Sequence, residues 1–212
     1  MRIFEAPLAF LSRPKRRLSQ THRRLLKACL HLLIGGYVAI IFYLAATDQI
    51  AGDPVETLLE FSGINALNLL LITLCISPLA RWLKYGELMN YRRLLGLYAF
   101  FYALLHVFTF VAFELLFNMT LLFQEIINRP YITIGMAALI ILLCLAATSP
   151  MAMRKYMGKR WQHLHNLVYA ATALALMHFS WSQKTLLQEP LWYWFIFIIL
   201  MAPRGYRRFK KM

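Results

Sequence analysis

Any chemistry in this sequence has to rest on histidine. His31, His106, His165 and His178 lie within uncharged apolar stretches, His163 stands at the start of one, and His22 belongs to a basic tail. An ionisable side chain inside a membrane-length apolar stretch is expensive and marks a functional site by default. No Asp, Glu, Lys or Arg lies at the middle of such a stretch, so the acid–base relay of a proton pump has no members here. A neutral imidazole offers a nitrogen lone pair to a metal, and the membrane cofactor that most often takes axial histidine is haem. The chain has no C-x-x-C-H, so attachment is expected to be non-covalent, as in b-type haem.

Depth decides which histidines pair. His106 is 13 residues beyond Arg93, and His178 is 17 beyond Trp161, on two stretches that start from the same side. At about 1.5 Å per residue both stand roughly 20 to 25 Å from that side, in the outer half. His165 is only four residues past Trp161 and belongs near the starting face. The expected pairing is therefore His106 with His178 around one haem, with His165 in a second, inner site about 20 Å lower. The inner site's other ligand is open. Arg92, 14 residues before His106 on nearly the same helical face, suits a haem propionate. It is a poor iron ligand because it stays protonated. His31, at a comparable inner depth on the first stretch, is the alternative ligand, whereas His163 is about 200° from His165 and cannot share its porphyrin. His165 and His178 are themselves about 140° apart on an ideal helix. Either a kink rotates the register between them or the two cofactors approach different sides.

The elements that must position these residues are membrane spans. With 60% apolar and 15% charged residues and a mean hydropathy of +0.56, the 212-residue chain is too apolar for an ordinary soluble domain. A net charge of +14 would suit nucleic acid if the basic residues shared one folded surface, but here they are separated by uncharged stretches. Ala28 to Ala46, Phe61 to Ala80, Leu94 to Phe113, Tyr131 to Thr148 and Leu164 to Ser182 are each long enough to span. Leu191 to Ala202 is a shorter sixth, which needs extension through Leu186 and Leu187 or a thinned bilayer. None alternates like a barrel strand. The predicted fold is an all-α integral membrane protein, a six-transmembrane-helix bundle over residues 25–203, with basic tails at 1–24 and 204–212.

Of 23 Lys and Arg, all but Arg129 and Lys184 fall on one side of these spans, while seven of nine acids fall on the other. Basic loops stay inside, so both termini are expected in the cytoplasm, facing anionic lipid headgroups. The first apolar stretch is too long for a signal-peptide core. Cys29, Cys75 and Cys144 form no metal or redox motif and read as packing residues, and Met151, Met153 and Met157 read as ordinary loop residues. No internal repeat is expected, and no G-x-G-x-x-G or Walker loop is present. Reducing power must therefore arrive from another molecule. A transporter predicts mid-membrane carboxylates or broken helix pairs, and a passive anchor gives no reason for histidines at matching depths, so an electron conduit is the leading reading.

The strings GINALNLLLITLCISPLAR, RRLLGLYAFFYALLHVFTF, RPYITIGMAALIILLCLAATS and GKRWQHLHNLVYAATALALMHFSWSQK resemble the MsrQ (YedZ) family, within the ferric reductase-like transmembrane group. The resemblance runs from about Leu25 to Arg208. It implies one or two b-type haems on His106, His165 and His178, an FMN, and a place in the bacterial inner membrane. It also implies electron delivery to MsrP, a periplasmic molybdopterin enzyme that reduces methionine sulfoxide in proteins, with the quinone pool or a cytosolic flavin reductase as donor. NADPH oxidases of the same group carry two histidines on their third helix, where this chain has Arg92 and His106. A ferric reductase, or a quinol-oxidising cytochrome b-type subunit serving another periplasmic oxidoreductase, is the alternative.

Overall fold

The structure, a computed structural model, describes residues 19–183 and 189–209. The described residues form helices and turns: α1 (Gln20–Ala46), α2 (Pro54–Trp82), a 3-10 turn (Gly86–Leu88), α3 (Met89–Thr109), α4 (Met119–Asn128), α5 (Pro130–Ala147), α6 (Met151–Met157), α7 (Lys159–His165), α8 (Val168–Ser182) and α9 (Glu189–Phe209). A π-helical turn over Phe110–Glu114 continues α3.

Helix starts follow the local chemistry. Ser19 caps α1, Asp53 caps α2 ahead of Pro54, and Asn118 caps α4, each accepting a main-chain N–H of the first turn. Pro130 opens α5, where its missing N–H costs nothing. Gln20–Ala46, Pro54–Trp82, Gly86–Glu114 and Pro130–Ala147 are each long and apolar enough to cross a membrane. The expected fifth span is broken. Lys159–His165 and Val168–Ser182 are separate helices joined by a turn at Asn166 and Leu167, where Gln162 Nε2 donates to Asn166 Oδ1 at 2.9 Å. Of the two ways to reconcile His165 with His178, the chain thus has a break between them. The apolar part of α9 starts at Glu189, and Leu186 and Leu187, expected to extend it, lie outside the described residues. Met151, Met153 and Met157 are in α6 rather than a loop.

The core is built on α2, whose Leu67, Leu70, Leu71 and Leu74 are buried against Ala99 and Tyr102 of α3, Leu142 of α5 and Ala171 and Leu176 of α8. Four buried hydroxyls that lipid could not satisfy turn back on their own helices: Ser62, Thr73, Thr172 and Ser180 each donate to the carbonyl four residues earlier. α1 buries no residue and sits at the periphery. It is tied to α3 by Tyr102 Oη, which donates to the Ile34 carbonyl at 3.1 Å, and to the 3-10 turn by the 2.9 Å ion pair of Arg23 with Glu87. Tyr102 is 2% exposed. Tyr102→Ala will therefore destabilise the bundle by about 3–5 kcal/mol, and Tyr102→Phe by about 1 kcal/mol, compared as thermal unfolding midpoints in one detergent.

The two principal hairpins, α2 with α3 and α5 with α8, correct the expectation of no internal repeat. At one constant offset the second repeats the first: Gly63 and Gly135, Ala66 and Ala138, Leu67 and Leu139, Leu70 and Leu142, Ser77-Pro78 and Ser149-Pro150, Gly86 and Gly158, Ala99 and Ala171, Ala103 and Ala175, and His106 and His178. At Ser-Pro the halves diverge: α2 runs through Pro78 to Trp82, whereas α5 stops at Ala147 and Pro150 opens α6.

Candidate haem site

Each hairpin holds one histidine against the backbone of its first helix. His106 Nδ1 lies 3.0 Å from the Leu59 carbonyl on α2, and His178 Nδ1 lies 2.7 Å from the Tyr131 carbonyl on α5. A carbonyl can only accept, so Nδ1 carries the proton in both rings, and Nε2 keeps its lone pair. The two ring planes are nearly perpendicular, at 82°, with centroids 6.1 Å apart. That separation matches two metal–nitrogen bonds of about 2 Å each plus the depth of two imidazoles. With Nδ1 committed, Nε2 is the nitrogen each ring can offer a metal. The hydrogen bond behind each ring is the usual device for fixing the tautomer and orientation of a metal-binding histidine.

The histidines open on a cavity of about 340 Å³, within the range of small-molecule sites. Its walls are apolar, with Leu67, Leu70, Ala138 and Leu142 among them. Glu56, Glu60 and Gln183 line it at the end where α2 starts and α8 stops. Tyr131 closes one side, its ring 5.8 Å from that of His178 and its hydroxyl 3.2 Å from Arg129, which also pairs with Glu125 at 2.7 Å. Among the described residues no group of three His, Cys, Asp or Glu could hold a bare ion. Two imidazoles lining one apolar cavity suit a metal whose other ligands come with it, as in haem.

The other residues singled out from the sequence are elsewhere. His165 is at the opposite end of the bundle, its ring stacked on Trp161 at 3.9 Å and its Nε2 3.2 Å from Thr148 Oγ1. The Thr148 hydroxyl donates to the Cys144 carbonyl at 2.6 Å, so it accepts from His165. Ligation through Nε2 would require His165 to give up that bond. Arg92 is near enough to act electrostatically on His165, and its guanidinium donates to Ser77 Oγ at 3.4 Å. At about 1.5 Å per residue, Arg92 is roughly 20 Å along α3 from His106. His31 is hydrogen-bonded through Nδ1 to Tyr98 Oη at 2.5 Å, on the exposed side of α1. Arg92 and His165 thus both lie towards the end of the bundle away from the His106–His178 pair, and His31 contacts Tyr98 of α3. The three cysteines are free thiols.

The sequence reading missed Gly63 and Gly135, which lie directly against the two imidazoles. The signal for them was the repeat G-x-x-A-L-x-x-L-L, followed in each half by A-x-x-x-A-L-x-H.

Paired hairpins that present one histidine each to a common apolar cavity define a ferric reductase-like transmembrane protein, and residues 59–176 match the family described as ferric reductase like transmembrane component. The chain is 42% identical over 198 residues to the protein-methionine-sulfoxide reductase heme-binding subunit MsrQ of Pectobacterium carotovorum, covering 92% of this chain and 98% of the relative. It is 43% identical over 189 residues to the subunit of the same name from Klebsiella pneumoniae, covering 88% and 94%. The chain belongs to the MsrQ family, and it is a multi-pass membrane protein.

Proposed function

We propose that this chain is the haem-bearing membrane subunit of a methionine sulfoxide reductase system, carrying electrons across the bacterial inner membrane to a periplasmic partner. The observation that carries the reading is the His106–His178 pair, 6.1 Å apart with both Nδ1 protons on carbonyls. When bound, a b-type haem supplies one-electron exchange between ferric and ferrous iron. His106 and His178 would hold the iron, Leu59 and Tyr131 fix their tautomers, and the leucine walls keep water away. At the other end of the bundle, His165 would hold the iron of a second haem, giving up its bond to Thr148, and Arg92 would pair with a propionate. The pairing of His31 with Tyr98 makes it the weaker inner ligand.

In this reading the chain crosses six times with both termini cytoplasmic, α7 with α8 forming the fifth crossing and α9 the sixth. Support comes from the bias of Lys and Arg to one side. The acceptor is MsrP, a periplasmic molybdopterin enzyme, and the donor is the quinone pool or a cytosolic flavin reductase. An FMN belongs to the same reading. These three rest on the family resemblance.

Purified from membranes, the protein will show a Soret band, and acid acetone will extract all its haem, since no covalent attachment motif exists. Colour left with the polypeptide would contradict b-type binding, and a colourless protein from haem-replete cells would overturn the reading.

A further inference from the structure

We infer that Gly63 and Gly135 are paired positioning residues, notches in α2 and α5 that seat the imidazoles of His106 and His178 against the carbonyls orienting them. The inference rests on the haem reading above. A Cβ on Gly135 would stand 2.8 Å from Nδ1 of His178 and 3.1 Å from its Cε1 and Cγ. On Gly63 it would stand 3.1 Å from Nδ1 of His106 and 3.2 Å from its Cε1. Neither glycine has a positive φ. Space for the ring, and not backbone freedom, is what the absent side chain supplies.

The carbonyls explain why the notch is needed. Leu59 and Tyr131 each precede their glycine by four residues, so in the helix each carbonyl already receives the N–H of Gly63 or Gly135. A second donor must approach that carbonyl over the surface of the next turn, which is where the Cβ of the glycine position would lie. The imidazole takes that place. Both histidines reach their carbonyls across the same 47-residue separation, so the arrangement occurs once in each hairpin. A ring pushed away from Gly135 would lengthen its 2.7 Å bond to Tyr131 and turn Nε2 off the cavity.

Four glycine-to-alanine variants of the full-length protein test this, because the room at each position differs. The nearest neighbour of a Cβ on Gly96 is Thr73 Cγ2 at 3.8 Å, and on Gly36 there is none within 4 Å. Outer-shell partners of metal-binding histidines are worth about 10- to 100-fold in affinity. Gly135→Ala should lose about tenfold or more in haem content and shift the low-spin EPR signal of what remains. Gly63→Ala should lose less, and Gly96→Ala and Gly36→Ala should match the native protein. Native haem content and EPR in Gly135→Ala, or an equal loss in Gly96→Ala, would overturn the inference.

Thermal unfolding of the haem-free protein separates seating from helix packing. Gly135→Ala should lower the midpoint in the native background and leave it unchanged in a His178→Ala background, because the clash is with that ring. An equal loss in both backgrounds, or a double variant that fails to accumulate when His178→Ala does, would overturn the inference. This cycle reads the glycine–histidine coupling even if the native protein carries no haem, an outcome that would sink the haem reading alone.

Discussion

His178→Ala and His106→Ala will each abolish the same haem signal, and His165→Ala will leave that signal in place. The two ring centroids are 6.1 Å apart on different hairpins, each with Nδ1 committed to a carbonyl, so in the proposed reading both would hold the same iron. Loss of an outer-shell partner costs about 10- to 100-fold in metal affinity, and loss of the ligand itself costs at least the upper figure. Either alanine variant should retain at most about one hundredth of the affinity for that haem, seen as loss of one low-spin EPR component. His165 sits at the other end of the bundle, stacked on Trp161. Its alanine variant should remove a separate component. EPR and haem quantification on the three single variants are sufficient. A common loss shared by His106→Ala and His165→Ala, with His178→Ala distinct, would refute the pairing.

Neutralising Glu56, Glu60 and Glu114 together will slow electron delivery to the periplasmic reductase about tenfold at low ionic strength, with the difference fading as salt is added. Glu56 and Glu60 line the cavity that holds the histidines, and all three acids are exposed. Glu125 contributes less, because Arg129 pairs with it at 2.7 Å. A partner that takes electrons here must dock over this rim. Complementary charge at such a rim raises the encounter rate and sets orientation more than it adds affinity. The measurement is the rate of haem re-oxidation by the purified reductase, normalised to haem content, for native and Gln-substituted proteins across a salt series. Equal rates at every ionic strength would mean that these acids only solvate the loops.

The class of protein was legible from residue type and order. Uncharged stretches long enough to cross a bilayer allow little but helices, since lipid satisfies no backbone group. The matching depths of His106 and His178 follow from a fixed rise per residue, which is why counting along the helices brought out that pair before any contact was seen. Depth says nothing about rotation, however, and rotation is where tertiary structure decided. The break at Asn166 and Leu167 sets how His165 faces relative to His178, and Gln162 of α7 donates to Asn166 where it begins. By residue count, His31 and Arg92 share one depth. Packing gives His31 to Tyr98 and brings Arg92 near His165, because α1 lies at the rim of the bundle while α3 lies inside it. The repeat marks Gly63 and Gly135 in the sequence, but their role is decided by packing for a related reason. A glycine in an apolar helix becomes meaningful only when the ring packed against it is known, and that ring belongs to another helix, 43 residues away in the chain in both halves.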